Sequence, residues 1–284
     1  MSSSSGRKWL FNSQELHLEK PLIMGILNVT PDSFSDGGKY TDIKRAIDHG
    51  MSMILSGVDI IDIGGESTRP GSQPISTEEE LSRVIPIIES LSKLSTVHLS
   101  IDTQKSVVAE QAVVAGASII NDVSAGLYDS KMFEVVSKTG VGYVMMHMQG
   151  VPESMQTAPE YSNVIDDIID FFTNRLSIAK KAGIEEAQIV LDPGIGFGKT
   201  LEDNLNILAN SELLRIQNRP LLIGASRKSF IGMIDDSPAG ERLGGSLAAV
   251  VAAHIQNVEI FRVHDVHETK QVLDIFTAIQ KHSV

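Results

Sequence analysis

The 284-residue chain has no cysteine, one tryptophan and four tyrosines. Without cysteine there can be no disulfide, thiolate nucleophile or thiolate-bound metal, and the chain suits a reducing compartment, so a cytoplasmic location is expected. An excess of cations is missing too: 24 Lys and Arg stand against 36 Asp and Glu, a net charge of −12. A surface that tracks nucleic-acid phosphates needs clustered Lys and Arg, so nucleic acid is not an expected partner. Any anionic substrate must find a local basic pocket. No apolar run reaches the ~18 residues of a membrane span, and the opening MSSSSGRKWLFN lacks the apolar centre of a secretory signal, so no membrane contact is expected. What is present is 42% hydrophobic residues and a mean hydropathy of +0.04, enough apolar side chain for a sizeable core. Residues 1–7 read as a flexible tail, and 8–284, without a break in composition, as one domain.

After residue 20, short apolar runs alternate with longer segments of helical period. The runs are Leu22–Asn28, Val58–Ile63, Val97–Asp102, Ser118–Asn121, Gly142–Met146, Gln188–Asp192, Pro220–Ala225 and Val258–Val263. Most are continuously apolar, as expected of strands buried on both faces of a parallel sheet. Between them the spacing predicts helices near 41–56, 77–94, 104–115, 129–139, 162–182, 199–216, 240–256 and 267–281, with Pro86 as a kink or irregularity in the second. Eight such units fit a closed (β/α)8 TIM barrel, with a doubly wound open sheet as the structural alternative. Residues 7–20 would form a small hairpin or plug at the N-terminal mouth.

Chemistry in such a fold belongs at the C-terminal ends of the strands. Asn28, ending the first, is either a neutral oxygen ligand for Mg2+ or phosphate, or a turn cap. Polar, glycine-rich loops follow the first two strands, the second carrying Glu66, Thr68 and Arg69, with Arg69 in solvent as the plain alternative. Asp102, Asn121-Asp122 and Asp192 end strands three, four and six. One such carboxylate is usually a helix cap. Together, aimed into one mouth, they suit a flat heterocycle with N–H donors or, equally, a divalent metal. His147, among four methionines, reads as a core histidine, and the methionines as packing for a planar ligand. A glycine-rich turn at 194–199 misses the P-loop pattern but offers Phe197 as an aromatic face. Arg227 and Lys228 follow strand seven, Arg262 and His264 strand eight. Acidic and amide groups would form one arc of the mouth and basic groups the other, an arrangement for group transfer with an anionic leaving group.

The segments LNVTPDSFSDGG, GGESTRPGS, IDT, NDVSA, MHMQG, LDPGIGFGK, GASRKSFIG and RVHDV, in this order, resemble the dihydropteroate synthase family from about Lys8 to the last strand. The resemblance implies a transferase of folate biosynthesis and a sulfonamide target, joining 6-hydroxymethyl-7,8-dihydropterin pyrophosphate to p-aminobenzoate. It implies that Asp102, Asn121, Asp192 and Lys228 bind the pterin, and that Asn28, Arg262 and His264 hold the pyrophosphate, with Mg2+ at Asn28. Thr68, Arg69, Pro70, Phe197, Lys228 and Ser229 would surround p-aminobenzoate, and Asp36 would help close the reacting complex. Asp36, Asp102, Lys228 and Arg262 are the catalytic set so implied. The apolar helices after strands seven and eight suggest a homodimer. A methyltetrahydrofolate-using methyltransferase is the enzymatic alternative, disfavoured by Arg262 and His264. A non-catalytic pterin-binding paralogue is the other.

Overall fold

The computed structural model describes residues 7–12, 14–29, 39–67, 72–150, 155 and 159–282. The chain opens with an antiparallel hairpin, β1 (Lys8–Phe11) and β2 (Gln14–His17), in which Lys8 faces His17 and Phe11 faces Gln14. Eight parallel strands follow: β3 (Leu22–Asn28), β4 (Ile60–Gly64), β5 (His98–Asp102), β6 (Ile119–Asp122), β7 (Gly142–Met146), β8 (Ile189–Asp192), β9 (Leu222–Ile223) and β10 (Ile260–Val263). Each pairs with its sequence neighbour except that β8 and β9 are joined only by a bridge between Leu191 and Leu221, and β10 returns to β3. The sheet therefore closes on itself, which excludes the doubly wound alternative.

Side-chain alternation builds two cores from these strands. Ile23, Leu27, Ile61, Ile63, Leu99 and Ile101 point outward and pack against Val84, Ile87, Ile88 and Leu91 of the surrounding helix layer. Leu22, Met24, Ile60, Ile119, Val144, Val190, Leu222 and Ile260 point inward and fill the barrel together with Trp9 and Phe11 of the hairpin. The Trp9 indole donates to Gln188 O at 2.7 Å and meets Phe11 edge to face, 5.2 Å between centroids. Gly142, at the start of β7, makes room for them, since a Cβ there would stand 2.9 Å from the indole. The expected plug is thus a built part of the barrel floor. Tail residues 1–6 lie outside the described chain.

The helices among the described residues are α1 (Lys39–Leu55), α2 (Thr77–Leu94), α3 (Ser106–Ala115), α4 (Met132–Thr139), α5 (Val164–Lys181), α6 (Leu201–Ala209), α7 (Ser229–Asp235), α8 (Leu243–Ile255) and α9 (Val266–Gln280). Their starts carry side-chain caps where the sequence offers them: Ser76 accepts from Glu79 N, Asn163 from Ile165 N, and Thr200 exchanges bonds with Asp203. Two expectations are corrected. The helix foreseen over 199–216 stops at Ala209, where the Asn210 side chain turns back onto Asn206, and short 3-10 turns complete the segment. A seven-residue helix, α7, precedes the expected one and ends on Asp236 in a left-handed conformation. The second helix, α2, holds Pro86 within its span.

Candidate active site

The strand register assembles the mouth. Asn28 pairs with Gly64, Gly64 with Asp102, and Asp102 with Asn121, so four adjacent strands end in one row. These positions share parity with the inward-facing Met24, Ile60 and Val144, so their side chains crown the inner core. Gly64 contributes space. A Cβ there would lie 3.6 Å from Asn28 Oδ1 and 3.7 Å from Asp102 Oδ2, inside the gap between the two. Asp102 does not cap the helix that follows it. Asp129 supplies that acceptor, to Ser106 N at 2.9 Å, which frees Asp102 for the mouth.

Arg262, from β10, reaches across to these carboxylates. Its Nε donates to Asp62 Oδ2 at 2.6 Å and its Nη2 to Asp102 Oδ2 at 2.7 Å. Asn121 Nδ2 donates to the same Asp62 oxygen at 3.0 Å. The expectation of separate acidic and basic arcs is therefore corrected: the principal cation sits between two carboxylates. Burial works against the guanidinium charge, but Asp62 and Asp102 outweigh it and hold Arg262 above its usual range. Burial pushes Asp102 up to about 7, Arg262 opposing and Asp62 assisting. Asp192, held by Gly194 N at 2.7 Å, is pushed by burial to about 6.

Three buried oxygens in this group, Asp62 Oδ1, Asp102 Oδ1 and Asn121 Oδ1, have no hydrogen-bond partner among the described residues. A buried acceptor without a donor costs about 1–3 kcal/mol. Three gathered at one mouth describe a surface shaped for a ligand edge rich in N–H groups.

Beside them lies an apolar wall of Val123, Met146, Met155 and Phe197, with Met148 packed against it. Lys228 Nζ sits 4.0 Å from the centre of the Phe197 ring. Gly196 leaves room for the lysine stem, with 3.2 Å from a Cβ to Lys228 Cδ. His264 Nδ1 lies 3.0 Å from Ser226 Oγ, which fixes the ring, and Ser229 opens α7 on the exposed side. Arg227 forms an ion pair with Asp265. Asp122 turns outward and binds Ser124 N, Gly126 N and the Tyr143 hydroxyl. It supports the fold rather than the mouth. Asp36, Thr68, Arg69 and Pro70 lie outside the described residues.

Sequence reasoning passed over three supports. Asp62 was visible only as a strand-end residue, and nothing local announces a contact to Arg262, 200 positions away. Lys199 is buried with no carboxylate among the described residues bonded to its amine: Nζ lies 3.0 Å from His147 Nδ1 and 3.1 Å from Phe197 O. Burial lowers Lys199 to about 7, and burial with that neighbouring amine lowers His147 to about 2, so the imidazole is neutral, a core histidine as read from sequence. Lys105 Nζ binds Glu66, Ile75 O at 2.8 Å and Glu80 at 2.7 Å, bracing the two described ends of the loop after β4. Its pairing with Glu66 and Glu80 was hidden for the same reason, long sequence separation.

The sequence from 24 to 264 matches the model of the family described as pterin binding enzyme. The dihydropteroate synthase of Escherichia coli strain K12 is 45% identical over 263 residues, 93% of either chain. A crystal structure of Yersinia pestis dihydropteroate synthase with a sulfonamide drug complex superposes with a TM-score of 0.91 at 43% identity, covering 96% of this chain and 99% of that one. The Xanthomonas albilineans enzyme in complex with 7,8-dihydropteroate gives 0.86 at 38% identity, over 96% and 98%. With a barrel mouth of this composition and near full-length likeness on both counts, the chain belongs to the pterin-binding enzymes, in the dihydropteroate synthase family.

Proposed function

We propose that this chain joins 6-hydroxymethyl-7,8-dihydropterin pyrophosphate to p-aminobenzoate, releasing pyrophosphate and forming 7,8-dihydropteroate, and that sulfonamides compete for the p-aminobenzoate position. The observation that carries the reading is the trio of partnerless buried oxygens on Asp62, Asp102 and Asn121. A pterin presents ring N–H and amino groups along one edge, and these complement the trio together with the Asp192 carboxylate. Lys228 would donate to the pterin from the opposite side, and the methionine and Phe197 wall would cover the ring face.

The reaction breaks the carbon–oxygen bond to pyrophosphate and forms a bond from that carbon to the aniline nitrogen. The electron pair leaves with pyrophosphate, and the nitrogen loses a proton. An ionised Asp102 beside the ring would stabilise the cation left at the carbon, and Arg262 and His264 would stabilise the departing anion. Asn28 suits the Mg2+ implied by the family: its amide is a hard oxygen donor facing the open position at Gly64, and Mg2+ keeps most of its shell as water and phosphate oxygen. Among the described residues no three His, Asp or Glu side chains group as a metal cage, so Asn28 would supply one protein ligand and the substrate the rest. Bound there, Mg2+ would neutralise pyrophosphate charge. Phe197, Lys228 and Ser229, with Thr68, Arg69 and Pro70 of the second loop, would receive p-aminobenzoate, and Asp36 would help shut out water. The cysteine-free composition fits work in the cytoplasm.

A methyl-transferring relative would need the pterin acceptors but no anion-holding Arg262 and His264. Incubating the purified protein with Mg2+ and both substrates decides: dihydropteroate should form, and added sulfonamide should raise the KM for p-aminobenzoate. No product from folded protein would sink the proposal.

A further inference from the structure

We infer that Asp62 is a positioning residue: it fixes the amide of Asn121 so that the oxygen, and not the NH2 group, faces the ligand. The inference rests on the pterin reading and concerns how the site selects a donor-rich edge. An asparagine amide presents a donor or an acceptor according to a two-fold torsion with little preference of its own. An ionised carboxylate only accepts. With Asp62 Oδ2 3.0 Å from Asn121 Nδ2, the amine is committed to Asp62, and Oδ1, the other atom of the amide, is buried with no hydrogen-bond partner among the described residues.

Asp62 does this from a rigid place. It lies at the centre of β4, fully buried, with its backbone in register with Ile26 on one side and Ser100 on the other. The same Oδ2 also takes Arg262 Nε at 2.6 Å. That holds the guanidinium toward Asp62 and Asp102, so it does not turn onto Asn121 Oδ1 and quench the acceptor. A role as counter-ion alone accounts for less, because Asp102 already supplies one to Arg262 at 2.7 Å. It leaves unexplained the second bond, to Asn121, and the unpaired Oδ1 of Asp62 itself.

The test separates orientation from charge and from folding. Asp62→Ala frees the Asn121 amide to turn and also removes a negative charge beside Arg262. The same change in an Asn121→Ala background, where no amide is left to orient, keeps the charge effect alone. Binding of 6-hydroxymethylpterin is measured calorimetrically, with circular dichroism and the unfolding midpoint recorded for each protein. Asp62→Ala should weaken binding about tenfold or more in the parent and much less in the Asn121→Ala background. Where the alanine variant is poorly folded, Asp62→Asn in the two backgrounds repeats the comparison at constant volume. A folded variant whose loss is equal in both backgrounds, or a single variant that binds like the parent, overturns the inference. Failure of the parent protein to bind the pterin would instead overturn the functional reading.

Discussion

Lys199 is a buried lysine whose surroundings do little to support its charge. Among the described residues its amine bonds only to carbonyl oxygens and a neutral imidazole, and burial brings its pKa to about 7 from an ordinary 10.5. In the unfolded chain the amine would keep its proton up to the ordinary value. Between about pH 7 and 10 unfolding therefore takes up a proton, and stability rises with pH across that window, while below 7 the folded protein bears the buried ion. Denaturant unfolding at pH 7 and pH 9 should show this gain in the parent and a smaller one in Lys199→Met. Equal gains would mean that the folded protein keeps the lysine protonated across the window, as the unfolded chain does. The residue scale is also where the sequence was most and least informative. Asp102, Asn121 and Asp192 stood out because each ends an apolar run. Asp62 has the same local pattern but its meaning lies in Arg262 and Asn121, partners supplied by other strands. Lys105 and Lys199 likewise draw their roles from contacts that no spacing in the chain encodes.

Two elements hold the mouth and the floor. At the mouth, the turn after β8 passes through Gly194, Gly196 and Gly198, all with positive φ. A Cβ on Gly198 would overlap the Gln149 carbonyl oxygen, and the Tyr161 hydroxyl binds Gly198 O at 2.7 Å. Gly198→Ala should cost about 1–3 kcal/mol of stability and displace the neighbouring Phe197, raising the KM for p-aminobenzoate. Steady-state kinetics and unfolding of one preparation measure both, and an unchanged KM would place Phe197 away from that substrate. At the floor, Trp9 is fully buried among inward-facing strand residues. Trp9→Ala should destabilise by about 3–5 kcal/mol yet leave the KM values of the surviving folded enzyme near those of the parent, because its cavity forms at the opposite end from the chemistry. A large KM change would show that the plug reaches the mouth. Strand and helix order was legible because the apolar runs and helical periods alternate cleanly. The break at Asn210 and the extra turn of α7 were not, since short helices lack enough periods to stand out.

For the whole molecule, closure was foreseen from counting units, whereas its form was not: β8 and β9 meet through one bridge, Leu191 to Leu221. No helix among the described residues is long and apolar enough to cross a membrane. Met233 and Ile234 on α7 and Ile275 and Ile279 on α9 are each about 60% exposed, apolar side chains on the helices after the last two strands. On this basis we propose that two copies pair through these helices. Sedimentation equilibrium should give a dimer, and Met233→Glu with Ile234→Glu should yield monomer. A parent protein that stays monomeric at micromolar concentration would refute the pairing.

In the proposed reading the barrel mouth recognises a heterocycle through acceptor oxygens left without donors among the described residues. The most direct measurement compares, by titration calorimetry, 6-hydroxymethylpterin with the same molecule methylated at the ring N–H that the acceptors would receive. The parent ligand should bind and the methylated one should lose about a hundredfold or more in affinity, having replaced a donor by a methyl group against a buried carboxylate or amide oxygen. Equal binding of the two would contradict the assignment.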